Sequence, residues 1–250
     1  MARLFDDAQS EFLQNAGALI AAPPMSMACW FNSDDTANYQ ALMGLGSTTA
    51  FDHLIYAAGA AAGDTVWAST RDANAITSTG YSANTWHHAA GVWASTSSRA
   101  AYIDGGSKGT NTTLKTGSVN RTSISSILYN GSRYYYMSGR VAEAAMWDVA
   151  LTDGEVAMLA AGFSPLLVRP QGLVGYWPLG GIYGEHDNTI VGDCHMTAYS
   201  TPSWGDHPAT LIYPQSGLMI AAAAAAAAAG HPAMKRFGGI PFAALNRGVW

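Results

Sequence analysis

The chain has 250 residues, with 12 Lys+Arg against 17 Asp+Glu, a net charge of −5, 49% apolar residues and 12% charged residues. Charge at about half the usual quarter excludes a disordered chain, and four Glu with three Lys exclude a coiled coil. Residues 231–250 hold Lys235, Arg236 and Arg247 and no acid (+3), while 1–230 hold 9 bases and 17 acids (−8), so nothing resembles a nucleic-acid footprint.

From the N-terminus the pattern predicts short strands at 25–31 (MSMACWF), 41–46, 53–58, 65–70, 86–93 (WHHAAGVW), 99–103 and 123–129. Clusters of Asn, Asp, Gly and Ser at 33–38, 59–64, 71–74 and 104–109 separate them. Strands of this length and spacing, with turn chemistry between them, indicate a sandwich or barrel. Ala is abundant and β-branched residues are few, so turns and aromatics carry the reading more than propensity does. Asp104-Gly105 is the sharpest hairpin signal, because both residues tolerate the positive φ of a primed turn. Trp86 is expected to open a strand and fill the space between sheets. His87 and His88 should then point to opposite faces, one buried and bonded, the other exposed. In a strand over 140–147, Val141, Glu143, Ala145 and Trp147 should share a face. Trp147 is expected in the core, and Glu143 is expected to pair with a base or a turn amide.

Thr152-Asp153-Gly154-Glu155 fits a capping box, with Thr152 as N-cap. Val156, Leu159 and Ala160 form the apolar face of the helix that follows, and Gly162 is placed to end it. A further β-like piece lies at 172–179 (GLVGYWPL), followed by a Gly/Pro-rich stretch and nine alanines, Ala221 to Ala229, read as a helix or extended connector. The last residues, HPAMKRFGGIPFAALNRGVW, read as a docking tail. Cys29 and Cys194 are too few for a disulfide framework and are expected as buried thiols. No apolar run reaches the ~18–20 residues of a spanning helix, and MARLFDDAQSEF lacks the features of a signal peptide.

The order of FDDAQSEFLQ (5–14), MSMACWF (25–31), NTWHHAAGVW (84–93), AAYIDGG (100–106), MSGRVAEAAMWDVALTDGEVAMLAAG (137–162) and GLVGYWPL (172–179) resembles a laminin-G-like domain of the concanavalin A-like jelly-roll superfamily. That family runs from an Asp-containing first strand through a W-H-H/V-A strand and Y-I/V-D-G to a closing strand and capped helix. The C-terminal RFGGIPFAALNRGVW resembles tail ends of bacteriophage virion proteins. The resemblance implies an all-β fold: a two-sheet antiparallel jelly-roll sandwich with one short helix and an extended C-terminal arm. The expected organisation is a sandwich over 1–180, a loop-rich extension over 181–220, a poly-Ala connector over 221–230 and a docking tail over 231–250.

Hydrolases of this superfamily need paired acids on one strand. Glu11, Glu143, Glu155 and Glu185 lack such neighbours, so no enzyme is expected. Calcium takes about six to eight oxygens, and relatives hold it at a sandwich rim. Asp6, Asp7, Asp34 and Asp35 are the candidate ligands, with Asp52 and Asp72 also near predicted loops. His186, Asp187, Asp193, Cys194, His195 and His207 offer zinc-type ligands in no recognised spacing, and polar loop packing is the favoured reading.

The resulting expectation is a non-enzymatic virion structural protein, a capsid decoration or fibre component located in the virion. It would dock on other virion proteins through Arg236, Phe237, Phe242, Arg247 and Trp250, as a homo-oligomer such as a trimer. It would contact neither nucleic acid nor membrane. The alternative is a carbohydrate-binding adhesin at the virion surface, stacking host glycans on Tyr134, Tyr135, Tyr136 or Trp204. A cell-surface laminin-G module is the third reading.

Overall fold

The computed structural model describes residues 2–49, 51–180, 191–192, 194–208 and 211–214, with only the backbone of 236–237 and 240–241 beyond them. Two antiparallel sheets face each other. Sheet A runs β10 (Gly106–Asn111), β9 (Ser98–Ile103), β8 (His87–Ser95), β3 (Met25–Ser33), β14 (Gly139–Trp147), β1 (Ala2–Phe5) and β17 (Ser203–Gly205), and β15 (Leu173–Trp177) also pairs with β14. Sheet B runs β16 (Thr197–Tyr199), β2 (Phe12–Asn15), β11 (Arg121–Ile124), β4 (Gln40–Gly46), β5 (His53–Ala57), β6 (Thr65–Thr70) and β7 (Ala73–Gly80). A separate hairpin pairs β12 (Ile127–Tyr129) with β13 (Ser132–Tyr134), and α1 (Asp153–Ala160) is the one α-helix among the described residues. At the C-terminal end β18 (Arg236–Phe237) pairs with β19 (Ile240–Pro241).

The space between the sheets is filled by Phe5, Leu13, Met25, Met27, Phe31, Leu42, Leu45, Ile55, Trp93, Val141 and Trp177, all buried. Two of the largest members share a local device. In GVW (91–93) and GYW (175–177) the glycine sits two residues before the tryptophan, on the same side of the strand. A Cβ at Gly91 would lie 2.7 Å from the Trp93 ring, and one at Gly175 would lie 2.8 Å from the Trp177 ring. The missing side chain lets each indole lie back along its own strand. Trp86 does not join them: it precedes β8 and is half-buried, because the strand begins one residue later.

β14 departs from simple alternation. Its register with β3 shifts between Ala142 and Ala145, and Glu143 within the shift takes φ 54°. The Glu143 N–H leaves the ladder and donates to Pro178 O at 3.1 Å. The extra residue reverses the faces beyond it. Val141, Ala144 and Met146 face the shared core, while Ala145 and Trp147 face a second apolar layer. The expected common face of Val141, Glu143, Ala145 and Trp147 is therefore split by a β-bulge. Trp147 is fully buried, in the outer layer rather than between the sheets, and its Nε1 donates to Val168 O at 2.9 Å.

The Asp104-Gly105 turn forms as expected, with φ 49° and 76°. Asp104 explains the co-occurrence of WHH and YIDG. Its carboxylate accepts from the His87 ring at 2.8 Å and from His88 N at 2.9 Å, and its own N–H donates to His88 O at 2.8 Å. His87 Nε2 accepts from Ser82 N at 3.0 Å, which fixes a neutral ring protonated at Nδ1. The two histidines do point to opposite faces, but both are largely enclosed; His88 is 2% exposed. A Cβ on Gly105 would lie 3.0 Å from Ala157 Cα, so the turn and α1 meet where only glycine fits. α1 carries the expected capping box: Glu155 N donates to Thr152 Oγ1 at 3.3 Å and Thr152 N to Glu155 Oε2 at 2.8 Å. Asp153 in its first turn accepts from Tyr102 Oη at 2.7 Å and Lys108 Nζ at 2.8 Å. Cys29 and Cys194 are both buried and form no disulfide; burial pushes the Cys29 thiol well above its usual range.

FDDAQSEFLQ is not one strand. It forms β1, a turn holding Asp6 and Asp7, and then β2. Residues 197–205, expected in a loop-rich extension, add an edge strand to each sheet, β16 on β2 and β17 on β1.

Candidate functional site

The two sheets differ on their outer faces. The outer face of sheet A is covered: Ala28, Ala90, Val92, Tyr102, Ala145 and Trp147 pack beneath Val156 and Leu159 of α1 and Leu166 and Val168. The outer face of sheet B is covered only in its middle, by the β12–β13 hairpin. There the backbone of Leu128 lies directly on β4, and a Cβ on Gly46 would stand 2.2 Å from Leu128 O. Glycine at 44 and 46 is what lets one strand rest on another.

On one flank of this hairpin six aromatic rings make a continuous ladder. Tyr56 and Trp67 rise from β5 and β6 with centroids 5.4 Å apart. Tyr39 meets both edge-on at 5.8 Å. Tyr135 stacks on Tyr56 at 5.9 Å and 26° and touches Tyr39 at 6.0 Å. Tyr134 continues at 6.1 Å from Tyr135, and Tyr129 at 6.3 Å from Tyr134. Tyr135, at φ 58°, sits just past the end of β13, where the chain turns back toward the sheet. Tyr39, Tyr134 and Tyr135 are 37%, 44% and 45% exposed, while Tyr56 is 8% exposed and anchors them. Trp67 Nε1 is satisfied by Thr65 Oγ1 at 2.6 Å, so its ring is fixed while its face stays apolar. Burial raises the pKa of Tyr56 and Tyr135, and the nearby Asp52 adds to both shifts. Burial, only partly offset by the Arg71 N–H at 2.9 Å, lifts the Asp52 carboxyl to about 6.

On the other flank Arg133 reaches back across β11 and β2. Its guanidinium lies 3.7 Å from the centroid of Phe12, and Phe12 stacks on Tyr199 at 4.4 Å and 9°. Tyr136 leans on Phe12 at 6.1 Å. Arg133 donates to Ser126 Oγ at 2.6 Å and to Gln14 Oε1.

Of the residues expected to stack sugars, Tyr134 and Tyr135 belong to the ladder. Tyr136 turns to the Phe12 flank, and Trp204 lies at the edge of sheet A with Arg3 4.8 Å above its ring. The four are not one site, since the chain beyond β13 alternates sides and Trp204 belongs to the other sheet. Of the calcium candidates, Asp6 and Asp7 lie in the turn after β1 and Asp34 and Asp35 in the loop after β3. Asp6 accepts from Ala8 N at 2.9 Å, and Asp35 accepts from Ala37 N and Asn38 Nδ2 at 2.5 and 2.8 Å, so both brace their own loops. Among the described residues no group of three or more His, Cys, Asp or Glu is placed to hold a metal. His186, Asp187 and Asp193 lie outside the described residues. Of the rest of that set, Cys194 accepts from Trp177 Nε1 at 2.8 Å and His195 from Asn15 Nδ2 at 2.7 Å, both through backbone oxygens. His207 Nε2 stands 3.2 Å from Glu143 Oε1. Glu143 meets the expected basic partner there and also accepts from Tyr213 Oη at 2.8 Å and from Tyr176 Oη. Phe242, Arg247, Trp250 and the alanine run 221–229 lie outside the described residues, as do the side chains of Arg236 and Phe237.

Sequence reasoning missed Tyr39, Tyr56, Trp67, Tyr129 and the Phe12–Arg133–Tyr199 stack. These residues are far apart in the chain and meet only through sheet pairing. LIYA (54–57) is apolar throughout, so no alternation marked Tyr56 as facing outward.

No curated protein matches the chain. Among solved structures, the SAP-like pentraxin of Limulus polyphemus, a native heptamer, is similar at 16% identity and TM-score 0.51, over 64% of this chain and 79% of that one. A Bacteroides ovatus ATCC 8483 protein proposed to bind carbohydrate is similar at 18% identity and TM-score 0.61, over 84% of this chain; the match spans 61% of the Bacteroides protein's length. Both likenesses are of fold. A laminin-G family model of the concanavalin A-like lectin/glucanases superfamily matches residues 7–157, and the chain belongs to that family.

Proposed function

We propose that the protein is a non-catalytic carbohydrate-binding module whose binding surface is the aromatic outer face of sheet B. The observation that carries this reading is the ladder Trp67–Tyr56–Tyr39–Tyr135–Tyr134–Tyr129, three of whose rings are more than a third exposed and lie in contact with one another or with the other rings. A contiguous exposed apolar patch on a folded domain marks a contact surface. A sugar ring presents an apolar C–H face to stack on an aromatic ring and a hydroxyl edge for polar groups such as Asp52. Membership in a superfamily of lectins and glucanases agrees with this, as does the fold likeness to the Bacteroides protein. Binding rather than hydrolysis is favoured because Glu11, Glu143 and Glu155 are each engaged in structural contacts away from the ladder. The test is titration of the full chain against a panel of oligosaccharides, with and without calcium, beside Tyr135→Ala and Trp67→Ala. Binding that falls about tenfold or more in both variants supports the reading, and a panel with no ligand overturns it.

A virion structural role is the second reading, favoured by the basic, aromatic sequence 231–250 and its resemblance to phage tail ends. In it, Arg236, Phe237, Phe242, Arg247 and Trp250 dock the module on neighbouring virion subunits and the sandwich displays the aromatic face to a host surface. Deletion of 231–250 should then abolish incorporation into particles while the sandwich stays folded.

A further inference from the structure

The flank of the hairpin opposite the ladder carries a positive charge that meets no carboxylate among the described residues. Lys108 and Arg169 each meet a carboxylate, at 2.8 and 2.6 Å. Arg99 is enclosed by four oxygen acceptors at 2.8–3.4 Å. Arg133 has neither arrangement. Its Nη groups donate to Ser126, Gln14 and, at 3.4 Å, Ser123, all neutral, and it makes no ion pair. The hydrogen bonds it makes to described residues all come from its Nη atoms, and the residue is half-buried rather than enclosed. A guanidinium has five N–H donors, and three acceptors leave two of them for a ligand, enough to grip a planar anion with two bonds. The group is held flat on Phe12, with Tyr199 stacked below, so it cannot swing away to a distant partner. Half-burial draws the guanidinium down to about 10, with Tyr136 and Tyr199 opposing the shift and Arg121 adding to it.

We infer that Arg133 is the anion-recognising residue of this face, and that the saccharide it takes carries a carboxylate or a sulfate ester. This rests on the carbohydrate reading above and narrows it to acidic glycans. The outer face of sheet B then has two compartments on either side of one hairpin: an aromatic ladder for sugar rings and a pre-set guanidinium for the charged substituent.

The experiment is calorimetric titration of the full chain at fixed ionic strength with two matched pairs: a uronic-acid oligosaccharide with its carboxyl-reduced form, and a sulfated oligosaccharide with its desulfated form. The acidic member of at least one pair should bind about tenfold tighter or more, and the pair showing this identifies the anion. Arg133→Gln should bring that ratio close to one, and Arg133→Lys, which keeps the charge but loses the fork, should leave an intermediate value. The ratio in the unaltered chain needs no variant, so a poorly folding substitution does not block the test. Equal binding within both pairs, or a ratio that survives Arg133→Gln, overturns the inference and leaves the carbohydrate reading standing. Binding of no saccharide removes both.

Discussion

The outer faces of the two sheets began with the same problem and were given different solutions. Each sheet turns one face to the shared core and leaves another that would expose apolar rings. Sheet A hides its second face under α1 and residues 163–168, which makes a second core around Trp147. Sheet B lays one short hairpin across its middle and leaves aromatic rings uncovered on both sides. The lesson is that apolar content does not mark a functional face; what covers it does. Trp147 and Trp67 are both large rings on outward-facing strand positions, but only Trp67 is left within reach of a ligand.

This contrast can be broken most forcefully at Trp147. Trp147→Ala removes a fully buried ring and its hydrogen bond to Val168, and should cost about 3–5 kcal/mol in a denaturant melt. Saccharide affinity of the fraction still folded should not change. Acid should act next. Burial holds His53 and His88 at about 4, well below the usual value for histidine. The unfolded chain therefore takes up their protons first, and stability is present above pH 6.5 and lost as pH falls toward 4. At pH 5 the two together should cost about 4 kcal/mol, and His88→Asn should reduce the proton uptake on unfolding by close to one.

Asp52, beside the ladder, has the opposite sign. Its folded value of about 6 lies above 3.8, so its contribution is present in acid and is lost as pH rises from about 4 through 6. Asp52→Asn keeps an acceptor for the Arg71 N–H and should raise stability at pH 7 by about 3 kcal/mol, with little gain at pH 4. Acidification would thus weaken sheet A at His88 and sheet B at His53, while relieving Asp52 beside the ladder. The smallest expected stability change is for Tyr135→Ala, under about 1 kcal/mol because the ring is already half in solvent. A larger loss of stability would mean that the ladder is chiefly structural.

The sandwich was largely legible in the sequence. Strands 65–70, 41–46 and 99–103 showed themselves through their bounding turns, and α1 through its capping box. β7 was hidden because its first residues looked like turn. The turn is only Arg71-Asp72, at φ 38° and 65°, and ANAITSTG supplies few buried residues to mark a strand. Two of the three consecutive tyrosines, Tyr134 and Tyr135, fall in the candidate site, and Tyr136 does not. Their partners could not be read, because Tyr39, Tyr56 and Trp67 converge from separate elements and no local pattern ties them together. Arg133 was equally silent: a lone arginine in a tyrosine-rich stretch shows no lack of a counter-ion until the fold reveals which acids are distant.

Glu143 also has a consequence for how the family can vary. A pleated strand has a frame of two, and this residue acts as a one-residue frameshift that is fixed in place by Pro178, Tyr176 and Tyr213. Deleting it would remove the bulge and restore plain alternation with Met146 still in the shared core and Trp147 still in the outer layer, whereas flattening the bulge with Glu143 kept would exchange them. A one-residue deletion should therefore be absorbed at the bulge itself, where it costs the Glu143 contacts but no face, while a deletion elsewhere in β14 should be tolerated only where the bulge is lost or moved to compensate.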